Sequence, residues 1–428
     1  MRTGFSILLI FIFQLLKGQD ISYLHLQGSM PSTLMNPAAK LNQKVNIGLG
    51  SMFSQLGTTG PSIDQLTSIN SAGQRYLNIQ NINNLDADRY NLSMDYDIRT
   101  IDVGIKVGSF AILAGHGFRS SFNLNYTSDL VKLLAQGNGT FIDKSLEIGP
   151  ALDIQAYNEL YLGLQKTVGN FTLGAKGKLL FGTSSIYTES SDMSFKTLPE
   201  FYQLQFTNNY LLRSSNLVNY QGLDDVGFDY SSFTFDHLFY NNRGFALDLG
   251  ATFKINKNVT LSASALDVGS IKWDFSPKKY TSSGTFTFEG VDLVDYIQDT
   301  NFNVQDTLLE LIEVSSTTEV YKTTLNNRFI LGGSYVKDKW SFHGLYQMHT
   351  RFGNRNHQLS LSAVRKIKIF DVGLSYTLNK NNFNSLGLYL GLNTKHVNVY
   401  FSSQNIYGIF DPLKVTNVSG ALGLSIQL

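Results

Sequence analysis

The chain has 428 residues, 34 of them basic and 33 acidic, for a net charge of +1. Charged residues make up only 16%, against roughly 25% in soluble domains, and near-neutrality excludes the basic footprint of a nucleic-acid binder. A hydrophobic fraction of 43% excludes a disordered chain; the absence of cysteine excludes disulfide scaffolds, zinc fingers, iron–sulfur sites and thiol catalysis.

Met1–Asp20 reads as a secretory leader. Arg2 supplies the positive start, and the apolar run Phe5–Leu16 is too short for a spanning helix, which needs about 20 residues. Cleavage is expected between Gly18 and Gln19, leaving a signal peptide at 1–18 and one barrel domain at 19–428. No later stretch approaches about 18 unbroken apolar residues, so export leads either to secretion or to an outer-membrane barrel. Gln27–Leu41 is mostly uncharged, and Pro31 and Pro37 keep it out of a central ladder. A barrel lumen would shelter such backbone, which makes 19–43 a candidate lumen plug. The first clear strand follows at Val45–Leu49.

From there the chain alternates. Leu92/Met94/Tyr96/Ile98 oppose Ser93/Asp95/Asp97, and Ile101/Val103/Ile105/Val107 oppose Asp102/Gly104/Lys106. Phe122/Leu124/Tyr126 and Phe171/Leu173/Ala175 continue the pattern. In Phe245–Ile255 every odd position is apolar, with Ala246, Asp248, Gly250, Thr252 and Lys254 between them. Val372–Leu378, Leu386–Leu392 and Leu422–Leu428 close the series. Strands send successive side chains to opposite faces, so each run has one apolar and one small or polar face. Links as short as Gly108-Ser109 permit antiparallel hairpins only. The expected fold is all-β: a transmembrane antiparallel β-barrel of about 14 strands, apolar side to lipid, with short helices in loops. In that register Leu249→Arg should cost ~2–4 kcal/mol, and the lumen-facing Asp248→Asn much less. Tyr90, Tyr126, Tyr157, Tyr335, Trp340 and Tyr400 near strand ends suit interfacial girdles.

Asp129–Gln136 has helical apolar spacing and stops at Gly137-Asn138-Gly139. Acidic Val291–Ser316 suggests a further helical turn. Ser184–Arg243 is the longest irregular stretch; its many aromatic rings suit a girdle and loop packing better than an apolar ligand site, with part of it strand extended beyond the membrane.

Signals for chemistry are weak. The seven histidines, at 25, 116, 237, 343, 349, 357 and 396, form no metal-binding spacing, and His343 and His349 are too far apart to chelate alone. Gly48-Leu49-Gly50 lacks the helix of a dinucleotide turn, and no Gly-x-Ser-x-Gly elbow occurs. Neither a cofactor nor an enzyme activity is expected. Asp95, Asp102, Lys106, Lys176, Lys178, Asp248, Lys254 and Asp371 fall on the lumen face. They fit a selective polar channel or, more plainly, a mutually neutralising filling.

Met35-Asn36-Pro37-Ala38 resembles the Asn-Pro-Ala start of Bacteroidota outer-membrane barrels. Arg243–Gly250, with Gly244, Asp248 and Gly250, resembles a second hallmark of that group, and Asn327–Tyr335 a third. Together they resemble a family of unknown function among FadL-type and PorV-type barrels. The terminal Leu428 departs from the aromatic residue that ends many such chains. The resemblance implies about 14 strands, a lumen-entering amino terminus and structural roles for Asn36, Pro37, Ala38, Gly244, Asp248 and Gly250. Its FadL side implies uptake or binding of an apolar small molecule. Its PorV side implies a scaffold for secretion or surface attachment of partner proteins. A general porin fits less well, because wide channels need 16–18 strands. The expected partners are outer-membrane lipid and an apolar ligand or a partner protein, without nucleic acid.

Overall fold

The computed structural model describes residues 25–216, 218–220, 226–228, 236–288, 314–379 and 382–428. The leader at 1–18 and the acidic segment up to residue 313 lie outside the described residues. Fourteen strands close the barrel. They are β1 (Val45–Thr58), β2 (Arg89–Val107), β3 (Phe110–Thr127), β4 (Ala151–Val168), β5 (Phe171–Thr197), β6 (Arg243–Lys254) and β7 (Val259–Trp273). The second half comprises β8 (Arg328–Lys337), β9 (Trp340–Arg351), β10 (Asn354–Ile367), β11 (Phe370–Asn379), β12 (Asn382–Asn393), β13 (Val397–Ser403) and β14 (Asn417–Gln427). Each pairs antiparallel with its neighbours in chain order, and β14 returns to β1 through Ile426↔Ile47 and Leu424↔Leu49. Closure leaves the barrel wall without an unpaired edge.

Alternation places the apolar series outside. Leu162 is 66% exposed and Leu249 49%, whereas Asp248 is 2% exposed. Leu173, Phe245, Leu331, Leu361 and Leu374 are exposed with them. This many large apolar side chains on one continuous surface would be untenable in water and matches a lipid-facing belt. No helix among the described residues is long and apolar enough to cross a membrane.

The chain changes phase at bulges. Within β2, Arg99 pairs with Gly117 and Ile101 with His116, so Thr100 is the extra residue. The two alternating series at 92–98 and 101–107 therefore belong to one strand with opposite parity on either side of Thr100.

One barrel end carries the tight connections 108–109, 169–170, 338–339 and 368–369. Gly108, Gly169, Asp338 and Lys368 there take positive φ, as two-residue hairpin turns demand. The paired ends of β1 and β14 lie at this end too, joined by Val45 N–H to the Leu428 carbonyl at 3.0 Å. The opposite, long-loop end holds the short helices α1 (Ile63–Leu66), α2 (Ile79–Asn83), α3 (Ser128–Gln136), α4 (Asp236–Phe239) and α5 (Tyr407–Phe410). α3 starts where Thr127 Oγ1 accepts from Leu130 N–H at 3.1 Å and stops at Gly137, whose φ is 72°. Above the wall, β5 leaves β6 and continues against Leu204–Asn216, which pairs in turn with Lys278–Phe288. Ile186, Met193, Tyr210, Leu212 and Tyr280 form the core of this extension.

The girdle expectation needs correcting. Tyr335 and Trp340 are exposed and stack on Phe342, as a girdle requires. Tyr157 and Tyr400 instead point inward and are buried, and Tyr90, on the lipid parity, is buried under the loop where its hydroxyl bonds Asp86. Residue type at a strand end does not reveal which face the ring takes; parity, including the bulges, does.

Candidate functional site

Inward positions of seven consecutive strands meet in one ion network. β2 contributes Asp97 and Arg99, β3 Arg119, β4 Glu159, β5 Lys178, β6 Asp248, β7 Asp267 and β8 Arg328. Arg119 reaches Asp267 at 2.7 Å and Asp97 at 3.0 Å, and Lys178 reaches Asp248 at 2.8 Å. Arg328 meets Asp267 at 3.2 Å, and Arg99 pairs with both Asp97 and Glu159. Four acids face four bases, so the network is neutral. Buried ion pairs add little net stability, but removing one partner strands the other in a medium of low dielectric.

Asp267 enters this network through a bulge. Leu247 pairs with Val268 and Leu249 with Ala265, so both Leu266 and Asp267 oppose Asp248. Asp267 has φ 61°, and its N–H donates to Asp248 Oδ1 at 2.7 Å. Strict alternation would have turned this carboxylate towards lipid. The bulge re-aims it inward.

Beyond the network towards the short-turn end, Tyr161 donates to Asp102 at 2.5 Å, and its ring lies 4.4 Å below Lys176 Nζ. Lys176 then donates 2.8 Å to the Thr33 carbonyl. That bond is the first of a set holding the amino-terminal segment 25–41 inside the barrel. Gln165 Nε2 donates to the carbonyls of Pro37 and Ala39 at 2.6 and 2.9 Å, and Ser264 Oγ to that of Met35 at 2.7 Å. Asn36 Nδ2 donates to the carbonyls of Ala251 and Ala263, both at 3.2 Å, while its Oδ1 accepts from Ala38 N–H at 2.8 Å. Such irregular backbone is tolerated at membrane depth because protein groups satisfy it on every side.

Glycines make the room. A Cβ on Gly174 would stand 2.7 Å from Ala38 N, and one on Gly250 2.9 Å from the same atom. On the other side, a Cβ on Gly104 would stand 2.6 Å from Leu41 Cδ1 and 2.9 Å from Met30 Sδ. The remaining face of the segment is apolar: Leu26, Leu34 and Met35 pack with Leu266, Ile330, Leu345, Val364, Tyr389 and Tyr400. The His25 ring stands edge-on to His343 at 5.1 Å and tilted against Tyr389 at 4.8 Å. No group of three or more His, Asp or Glu able to hold a metal forms among the described residues.

The segment divides the lumen. At the short-turn end a cavity of about 380 Å³ runs beside Met35, Asn36 and Ala39 and reaches Lys254 and Lys257. At the long-loop end lies a vestibule of about 660 Å³, and a second cavity of about 60 Å³, lined with it by Gln55 and His349, sits beside Asp97, Arg119, Asp267 and Arg328.

Of the residues singled out in the sequence, the structure brings Asn36, Pro37, Ala38 and Gly250 into one contact. Asp248, Lys176, Lys178 and Asp102 lie in or beside the ion network. Gly244 lies elsewhere, against the β7 backbone near Ile271. Asp95 lines the same small cavity as Asp97 and Arg119 but pairs with Arg351, and Asp371 bonds Asn393. Asp267, Glu159, Arg119 and Gln165 escaped the sequence reading. An Asp at lipid parity, in Leu266-Asp267-Val268, was the signal available for the bulge.

The model of the Family of unknown function (DUF5723) matches residues 37–404. No curated protein matches the sequence. Among solved structures, the chain is similar to a TodX deltaS2S3 mutant monoaromatic hydrocarbon channel, at 9% identity and TM-score 0.48 over 97% of both chains. It is also similar to the Ralstonia pickettii toluene transporter TbuX, at 9% identity and TM-score 0.45 over 96% of both. A Pseudomonas aeruginosa FadL homologue shows 10% identity and TM-score 0.43, over 93% of this chain and 94% of its own. The family match takes in the wall from β1 to β13, and the chain belongs to that family of unknown function.

Proposed function

We propose that the protein is a non-enzymatic outer-membrane barrel that binds or admits an apolar small molecule, with residues 25–41 as its gate. One observation carries the reading: the lumen is filled by a segment whose one charged side chain is Lys40 and whose Leu26, Leu34 and Met35 rest on an apolar wall of β7–β10 and β12–β14. Moving those three side chains aside would expose a dry, apolar surface inside an otherwise polar barrel, which is what an apolar solute needs. The short turns and paired chain ends at one end, with most long connections at the other, fit an orientation with the short-turn end in the periplasm.

Purification in mild detergent followed by mass spectrometry of bound molecules tests this reading. A co-purifying apolar compound, lost when residues 27–40 are deleted, is the expected result. A stoichiometric partner protein with no small molecule would move the assignment to a scaffold.

A further inference from the structure

The vestibule at the long-loop end has a chemistry unlike the apolar wall below it. Among the described residues its lining contains seven asparagines and three glutamines, no Asp or Glu, and a single aliphatic side chain, Ala151. The pattern follows from strand parity: Asn123 and Asn125 are inward neighbours on β3, and Asn356 and Gln358 on β10. Asn91 Nδ2 donates to the Oδ1 atoms of both Asn123 and Asn125, which fixes the orientation of three carboxamides. The ring of Tyr90 and the guanidinium of Arg89 complete this side. Arg351 lies on the floor, already paired with Asp95.

The geometry points to an oligosaccharide-binding subsite in this vestibule. A carboxamide both donates and accepts in one plane, which suits hydroxyl groups that do the same. The lining carries no carboxylate for a divalent cation. Of its three arginines, Arg351 is paired with Asp95 and Arg89 with Glu147, which leaves the exposed Arg355 as one cationic group rather than a clamp for a phosphate. An apolar ligand would have to strip water from ten amides without replacing their hydrogen bonds. A volume of about 660 Å³ falls within the range of roughly 300–1,000 Å³ for small-ligand sites and holds a short sugar chain. The site lies across the ion network from the amino-terminal segment, so it stands independently of the gate.

The test uses the full chain in lipid nanodiscs against a panel of neutral and uronate-containing di- to tetrasaccharides, read by calorimetry. At least one should bind, and Asn125→Leu with Asn356→Leu should weaken it by at least about tenfold, the loss of one or two good hydrogen bonds. Should that pair fail to fold, Asn125→Asp with Asn356→Asp keeps the shape and removes the donors; it should weaken every sugar and uronates most. Deletion of 27–40 should leave sugar binding unchanged, separating this result from that of the gate. No binding across the panel at millimolar concentration, or binding indifferent to the folded variants, overturns the proposal.

Discussion

Asp248 and Leu249 are adjacent in sequence and face opposite media. Leu249 is 49% exposed to the lipid side, so Leu249→Arg should destabilise the barrel by ~2–4 kcal/mol. The sequence alone assigns Asp248→Asn a small cost, on the premise that a lumen-facing side chain is cheap to change. The structure corrects that premise: Asp248 is 2% exposed, 2.8 Å from Lys178, and accepts from the Asp267 N–H. Removing one partner of a buried pair costs about 3–5 kcal/mol, and Asp267 and Glu159, still beside Lys178, hold the value near the lower bound. Urea unfolding of the protein in liposomes should therefore give comparable losses for the two variants. Gly250 is a second residue-scale probe. Gly250→Leu would occupy the position of Asn36 and Ala38, so overpacking of ~1–3 kcal/mol should be relieved by expelling the segment. Limited proteolysis in nanodiscs should then cut within 27–41, whereas the parent protein resists.

At the scale of elements, the amino-terminal segment is held by side chains on β4, β5 and β7 rather than by a ladder. Gln165→Leu with Ser264→Ala removes three of those hydrogen bonds, each worth about 1 kcal/mol net. The segment should exchange its amide hydrogens faster while the wall strands stay protected. α3 depends on a single cap. Thr127→Ala, which loses the bond to Leu130 N–H and that to the Glu147 carbonyl, should cost about 1 kcal/mol and be visible as faster exchange confined to α3.

For the whole molecule, the deciding quantity is the charge at the constriction. Adding Asp102 and Lys176 to the network gives five acids and five bases, all inward and all buried or nearly so. A barrel lacking residues 27–40 should conduct in planar bilayers where the full chain does not. Its reversal potential under a salt gradient should stay close to zero, because the charges around the constriction cancel. Strong cation or anion selectivity would show that the network rearranges once the segment has gone. Equal large conductance in both proteins would remove the gate.

Period-two alternation and short hairpin links determined a closed antiparallel barrel and its lipid face. These are local properties, written into every strand and readable without knowing what it pairs with. Asn36-Pro37-Ala38 and Gly250 stood out in the sequence too, but their contact did not, because it joins positions more than 200 residues apart. Tertiary structure alone decided which inward charges meet, since that depends on strand stagger and on two bulges that reverse parity at Thr100 and Asp267. It also decided that Tyr157 and Tyr400 turn inward. A one-residue insertion flips every side chain beyond it to the other face, and only cross-strand pairing reveals where that insertion lies.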